Sequence, residues 1–169
     1  MVGGLAIVVM GVTGAGKTTV GRLLAGRIGC AFIEGDDYHP ETNVAKMRAG
    51  EALTDDDRAP WLAKLAAVVA AELAAGRVIV LACSALRQSY RDVLAGGDRR
   101  VLFVHLAGPR DLVARRLAGR TGHFMPAALL ESQYATLEAP TDLTFWIEND
   151  PVAITDAVLA ELTGRGLVH

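Results

Sequence analysis

Leu5-Ala6-Ile7-Val8-Val9-Met10, followed by Gly11-Val12-Thr13-Gly14-Ala15-Gly16-Lys17-Thr18 and then a helical pattern to Ile28, decides the fold of this chain. The eight-residue run is a complete G-x-x-x-x-G-K-[ST] phosphate loop between an apolar strand and a helix. Glycines at positions 11, 14 and 16 let the backbone turn tightly, so that N–H groups between Gly11 and Thr19 converge on phosphate oxygens with no side chain in the way. Lys17 is placed to bridge the outer phosphates and Thr18 to offer its hydroxyl to Mg²⁺, with the positive end of the 17–28 helix facing the anion. The expected ligand is a nucleoside triphosphate with Mg²⁺, and the predicted nucleotide-binding residues are Gly11, Val12, Thr13, Gly14, Ala15, Gly16, Lys17, Thr18 and Thr19.

The D-x-x-G and N-K-x-D patterns of switch GTPases are absent, and the second apolar run, Val78–Ala82, ends in Cys83-Ser84 where a Walker B strand would carry an aspartate. Small-molecule kinases remain. A chain of 169 residues fits one domain, taken here as residues 1–169. Short β-type runs at 4–10, 31–33, 78–82, 101–106 and 143–147 alternate with helical patterns at 17–28, 41–49, 57–75, 85–95, 110–119, 127–138 and 151–163. This alternation predicts an α/β fold, a doubly wound parallel sheet of about five strands with flanking helices, with ligands at the carboxyl ends of the strands. The 143–147 run contains Trp146 and is poor in aliphatic residues for a buried parallel strand. A net charge of −2 argues against nucleic acid as a partner. No apolar run has the length of a membrane span, and no basic segment precedes the first strand. Cys30 and Cys83 stand far apart, outside metal-ligand spacing, and read as buried reduced thiols of a cytoplasmic protein.

Residues 34–61, EGDDYHPETNVAKMRAGEALTDDDRAPW, carry more polar functionality than a connector needs and form the expected acceptor pocket. The elements GDDxHPxxNxxKMxxGxxLxDxDRxPW there, CSAL at Cys83–Leu86, YRD at Tyr90–Asp92 and GHF at Gly122–Phe124 resemble, in order and over most of the chain, those of the gluconokinase family. The resemblance implies a P-loop kinase fold related to shikimate and nucleoside monophosphate kinases, with transfer of phosphoryl from ATP to D-gluconate and a homodimeric assembly. Another small-molecule kinase of the same fold, acting on shikimate or a nucleoside monophosphate, is the alternative. A non-catalytic nucleotide-binding module is a third reading, disfavoured by Asp36, Arg58 and Arg120 occurring together.

Phosphoryl transfer to a primary hydroxyl calls for a carboxylate that orients it and accepts its proton. Asp36, just past the 31–33 strand, is the candidate. Asp37 is the runner-up, and either carboxylate is a candidate to reach Mg²⁺ through water; a solvated turn or a helix cap is the competing account of both. His39 is a candidate either to bond the polyol or to hold its loop together. The gluconate carboxylate asks for a planar fork of donors, which points to Arg58, unless the Asp55-Asp56-Asp57 run pairs with that arginine and makes it structural. Asn43 and Lys46 are placed to reach substrate, whereas Met47 and Trp61 read as packing residues. Ser84 and Ala85, small residues at the end of the central strand, allow substrate close to the backbone. Arg87 stands where the family usually has lysine after CSAL; Arg91, four residues on, is either a substrate contact or part of a solvated face. By analogy with related kinases, residues 120–126 form a lid in which Arg120 is the catalytic arginine and Gly122 the hinge. Arg116 would then stack on adenine opposite Asp150-Pro151-Val152, while His123 and Gln133 meet substrate on closure, and Arg110 and Arg115 are ordinary solvated charges.

Overall fold

The computed structural model describes residues 3–119 and 127–169. Five parallel strands form one sheet: β1 (Leu5–Met10), β2 (Ala31–Glu34), β3 (Val78–Ala82), β4 (Val101–Ala107) and β5 (Thr144–Trp146), in the order β2-β3-β1-β4-β5. The central β1 aligns Ile7 with Val80 of β3 and with Leu102 of β4, and all six of its residues are buried. Burial on both faces explains its unbroken apolar run.

Helices cover both faces. Against one lie α1 (Lys17–Ile28), α5 (Arg110–Ala118), α6 (Ala127–Thr136) and α7 (Pro151–Gly164), packed through Val20, Leu24, Val113, Leu117, Val158 and Leu162. Against the other lie α3 (Asp55–Ala74) and α4 (Gln88–Ala95), packed through Trp61, Leu65, Val69, Leu73, Tyr90 and Leu94. Each fully buried aliphatic side chain contributes about 1.5–3 kcal/mol. A short α2 (Glu41–Arg48) follows a single 3₁₀ turn at Gly35–Tyr38.

Three boundaries differ from expectation for identifiable reasons. The third helix starts at Asp55 rather than 57, because Thr54 closes a capping box: its hydroxyl accepts from the Asp57 N–H while the Asp57 carboxylate accepts from the Thr54 N–H. The fourth starts at Gln88 rather than 85, because Ala85 has a φ of 46°, a left-handed conformation that no α-helix includes. The last strand is only Thr144–Trp146, and Trp146 is 59% exposed. It pairs with β4 alone at the sheet edge, so the aliphatic content of a buried strand is not required of it.

The carboxyl ends of β1, β2 and β3 meet at one rim. Gly35 makes this possible: a Cβ there would lie 2.4 Å from the Ala82 carbonyl oxygen. The turn after β2 thus packs against the end of β3.

Candidate functional site

The phosphate loop springs from β1 and is tied to the end of β3, where the Gly11 N–H donates to the Ser84 carbonyl at 3.2 Å. Gly14 and Gly16 have φ of 84° and 95°, the left-handed region expected of a loop that must turn its amides inward. Gly16 is the N-cap of α1, so the first amides of that helix open onto the loop. Two loop amides are engaged internally, Thr13 with Gln133 Oε1 at 2.7 Å and Ala15 with the Val12 carbonyl at 3.2 Å. Thr13 and Ala15, both among the expected nucleotide contacts, thus have amides with protein acceptors. The Lys17 ammonium donates to the Val12 carbonyl at 3.0 Å and faces the cleft beside the loop.

That cleft encloses about 780 Å³, including the open space at its mouth. It brings together Thr13 and Lys17 of the loop, Asp36 and His39 after β2, Arg58 of α3, Ser84 after β3, and Gln133 of α6. Asp36 keeps 72% of its side chain accessible, whereas Asp37 does not line the cleft. His39 is the opposite case. Its side chain is 4% exposed, its ring stacks on Trp61 with centroids 4.0 Å apart, and its Nδ1 meets the Asn43 carboxamide at 3.2 Å. An amide NH₂ only donates, so Nδ1 is the acceptor and Nε2 carries the proton, 3.8 Å from the Asp36 carboxylate. Burial lowers the His39 pKa, the Asp36 charge raises it and the Arg58 charge lowers it, so the ring stands within electrostatic reach of both. Trp61 anchors the arrangement by donating its indole N–H to the Gly35 carbonyl at 2.8 Å.

Arg58 is 14% exposed and donates to the Tyr90 hydroxyl at 3.1 Å. Tyr90 in turn donates to Asp55, whose carboxylate lies 3.9 Å from the guanidinium. The two accounts of Arg58 therefore coexist: it is held in place from α4 and by Asp55, and it still lines the cleft. Asn43 and Lys46 go elsewhere. Asn43 is buried and donates to the Asp57 carbonyl at 2.8 Å, and Lys46 pairs with the Asp57 carboxylate at 2.8 Å. That hydrogen bond, with the one from the Thr54 N–H, holds the Asp57 carboxyl down at about 2. Both residues brace the start of α3 rather than reach a substrate. Met47, expected in the core, is half-buried and lines the cleft with Glu51, Ala52 and Leu53.

Of the residues after β3, Ser84 lines the cleft. Ala85 is buried, and its backbone N–H bonds the Cys83 sulfur. Burial pushes the Cys83 thiol up to about 12, as expected of an inert reduced cysteine; Cys30, by contrast, is only half-buried. Arg87 is an exposed N-cap residue outside the cleft lining. Arg91 is neither a substrate contact nor a solvated charge. It is 2% exposed and donates to the carbonyls of Ala85 at 2.7 Å, Leu86 at 3.3 Å and Glu138 at 2.7 Å. Burial lowers its pKa from a value so high that the charge is kept. Arg91 thus holds the left-handed turn at Ala85 in place and ties it to the chain beyond α6. Arg91→Leu is expected to leave these carbonyls unpartnered and to cost about 2–5 kcal/mol, read as a lower urea midpoint at unchanged m-value.

Arg116 donates to the Ile147 carbonyl beside β5, and Asp150 caps α7 by accepting from the Val152 N–H at 2.6 Å. Arg110 pairs with Glu131 at 2.6 Å and lies over the Tyr134 ring, so it is not simply solvated. Arg120, Gly122 and His123 lie outside the described residues. Glu34 opens the expected acceptor segment 34–61 without a role of its own there, and the structure gives it one. It ends β2 and accepts from the Thr18 hydroxyl at 2.6 Å. The expected strand end at residue 33 leaves this carboxylate just outside β2, and the sheet order, with β3 between β2 and β1, brings it to the phosphate-loop threonine.

Among the described residues no cluster of three or more His, Cys, Asp or Glu forms a metal cage, and no helix is long and apolar enough to cross a membrane. The model of the shikimate kinase family matches residues 13–140. A gluconokinase of Gluconobacter oxydans is 51% identical over 156 residues, covering 92% of this chain and 88% of that protein. A gluconokinase structure from Sinorhizobium meliloti 1021 superposes with a TM-score of 0.85 at 43% identity, covering 94% of this chain and 91% of the other. An unliganded sugar kinase from Janibacter sp. HTCC2649 superposes with a TM-score of 0.88 at 43% identity, covering 94% of both chains.

Proposed function

This chain belongs to the gluconokinase family, and from that premise we propose how its own residues carry the transfer of the terminal phosphoryl group of ATP to the 6-hydroxyl of D-gluconate. The products are 6-phospho-D-gluconate and ADP. One observation carries the reading: Lys17 of the phosphate loop, the accessible Asp36 carboxylate and the braced Arg58 guanidinium all line one cleft.

ATP lies with its phosphates on the loop and the first turn of α1, and Lys17 neutralises the group in transit. Asp36 accepts the proton as the 6-oxygen bonds phosphorus and the bond to the β-phosphate oxygen breaks. His39, fixed by Trp61 and Asn43 with Nε2–H towards Asp36, holds the carboxylate's side of the cleft. Arg58 receives the gluconate carboxylate at the far end of the chain of carbons. Arg120 and His123 keep the roles the resemblance implies, the first on the transferring phosphoryl group and the second on substrate. Arg116 and the Asp150–Val152 segment serve the adenine.

Thr18 and Glu34 would hold Mg²⁺. A hydroxyl and a carboxylate already in contact suit a hard cation that takes most of its remaining ligands from phosphate and water. When bound, the ion neutralises phosphate charge and orients the outer phosphates.

Arg58→Leu tests the orientation of the acceptor. The KM for gluconate is expected to rise, with kcat/KM falling roughly 10²-fold, since a charge-assisted pair is worth a few kcal/mol. A sugar alcohol lacking the carboxylate should be used poorly by the wild type and be handicapped little further by the substitution. Equal impairment of both acceptors would assign Arg58 to the Asp55–Tyr90 network alone.

A further inference from the structure

Thr13 sits in the phosphate loop between Gly11 and Gly14, whose positive φ values of 148° and 84° mark the backbone freedom on either side of it. What holds it comes from far along the chain. Gln133 of α6 accepts from the Thr13 backbone N–H through Oε1 at 2.7 Å and donates to the Thr13 hydroxyl oxygen through Nε2 at 2.9 Å. Because a backbone N–H can only donate, the carboxamide can face Thr13 in just this sense, and both of its ends are used. The clasp is two-point, so it fixes the direction of the loop as well as its distance.

The helix that carries this clasp is itself part of the acceptor cleft. Leu129, Ser132 and Gln133 all line it. α6 is also pinned to the sheet rim at two places: the Tyr134 hydroxyl donates to the Gly108 carbonyl at 3.0 Å, and the Glu138 N–H beyond its end donates to the Leu86 carbonyl at 2.8 Å. One short helix therefore forms a wall for the acceptor, is fastened beyond the ends of β3 and β4, and grips the phosphate loop between two of its positive-φ glycines.

We propose that Gln133 is a positioning residue that couples the two halves of the site: seating of the acceptor against α6 sets Thr13, and a set phosphate loop in turn favours α6 in its acceptor-binding position. The proposal rests on the gluconate kinase reading. Ordering the loop once serves both ligands, so whichever binds first lowers the cost of ordering for the second. Linkage requires the effect to be reciprocal.

The test is calorimetric titration of the full chain with gluconate, with and without a non-hydrolysable ATP analogue and Mg²⁺, and in the reverse order. In the wild type each ligand should tighten the other about 5- to 30-fold, within the usual range for coupled sites. Gln133→Leu should bring that factor to within about 2 of unity, and Thr13→Val, which removes one of the two bonds, should give an intermediate value. If Gln133→Leu does not fold, Thr13→Val decides: a factor equal to that of the wild type overturns the proposal. An unchanged factor in Gln133→Leu, even with weaker gluconate binding, would make the glutamine a plain substrate contact and overturn the coupling. A wild type that binds both ligands without coupling overturns it too. A wild type that binds the nucleotide but no gluconate overturns the substrate reading, and the proposal with it.

Discussion

Lys17→Ala is expected to lose about 10²–10³-fold in kcat while the protein stays folded, the usual loss when one preorganised donor to transition-state charge is removed. The side chain is bonded to the Val12 carbonyl at the lip of the cleft and takes no part in either apolar layer of the core. Its removal should therefore leave the thermal midpoint within a few degrees of the wild type. The charge of the transferring group has no other side-chain cation from the loop to meet it, since Lys17 is the loop's one basic residue. Steady-state kinetics on a variant with unaltered circular dichroism checks this. Wild-type turnover would remove Lys17 from the chemistry.

Asp36→Asn is expected to lower kcat by roughly 10²–10⁴-fold with only a modest change in the KM for gluconate, the signature of losing a proton acceptor while keeping shape and hydrogen bonding. The accessibility of this carboxylate makes the prediction clean. Asp36 meets the His39 ring only at 3.8 Å, beyond hydrogen-bonding distance, so the amide should disturb little around it. The Trp61 stack and the Asn43 bond to His39 remain. A variant that instead loses gluconate affinity at full kcat would make Asp36 a binding group and reopen the assignment of the base.

Much of this was legible in the residues because it is local. The glycines at 11, 14 and 16 announce the positive φ values they adopt, and the apolar runs of β1 and β3 announce strands covered on both faces. The place of Asp36 on the cleft follows from its position after β2 in a sheet whose ligands gather at the strand ends. What was not legible depends on contacts across the chain. Arg91 lies four residues from Arg87, a spacing common to solvated helix faces, and nothing near it shows that Ala85, Leu86 and Glu138 will turn their carbonyls towards it. Asn43 and Lys46 share a helix face, but their partner is Asp57, brought back by the turn before α3. The hold of Gln133 on Thr13 spans 120 positions of sequence, and nothing in the local pattern of α6 announces it. Such pairs are decided by packing, on which local spacing is silent.

ADP formation by the wild-type chain with MgATP, measured with no acceptor, with D-gluconate, with shikimate and with a nucleoside monophosphate, decides the acceptor directly. Turnover should be negligible without acceptor and rapid with gluconate alone, with one 6-phosphogluconate formed for each ADP. Turnover with shikimate or the nucleoside monophosphate in preference to gluconate would contradict this, as would nucleotide binding with no transfer to any acceptor.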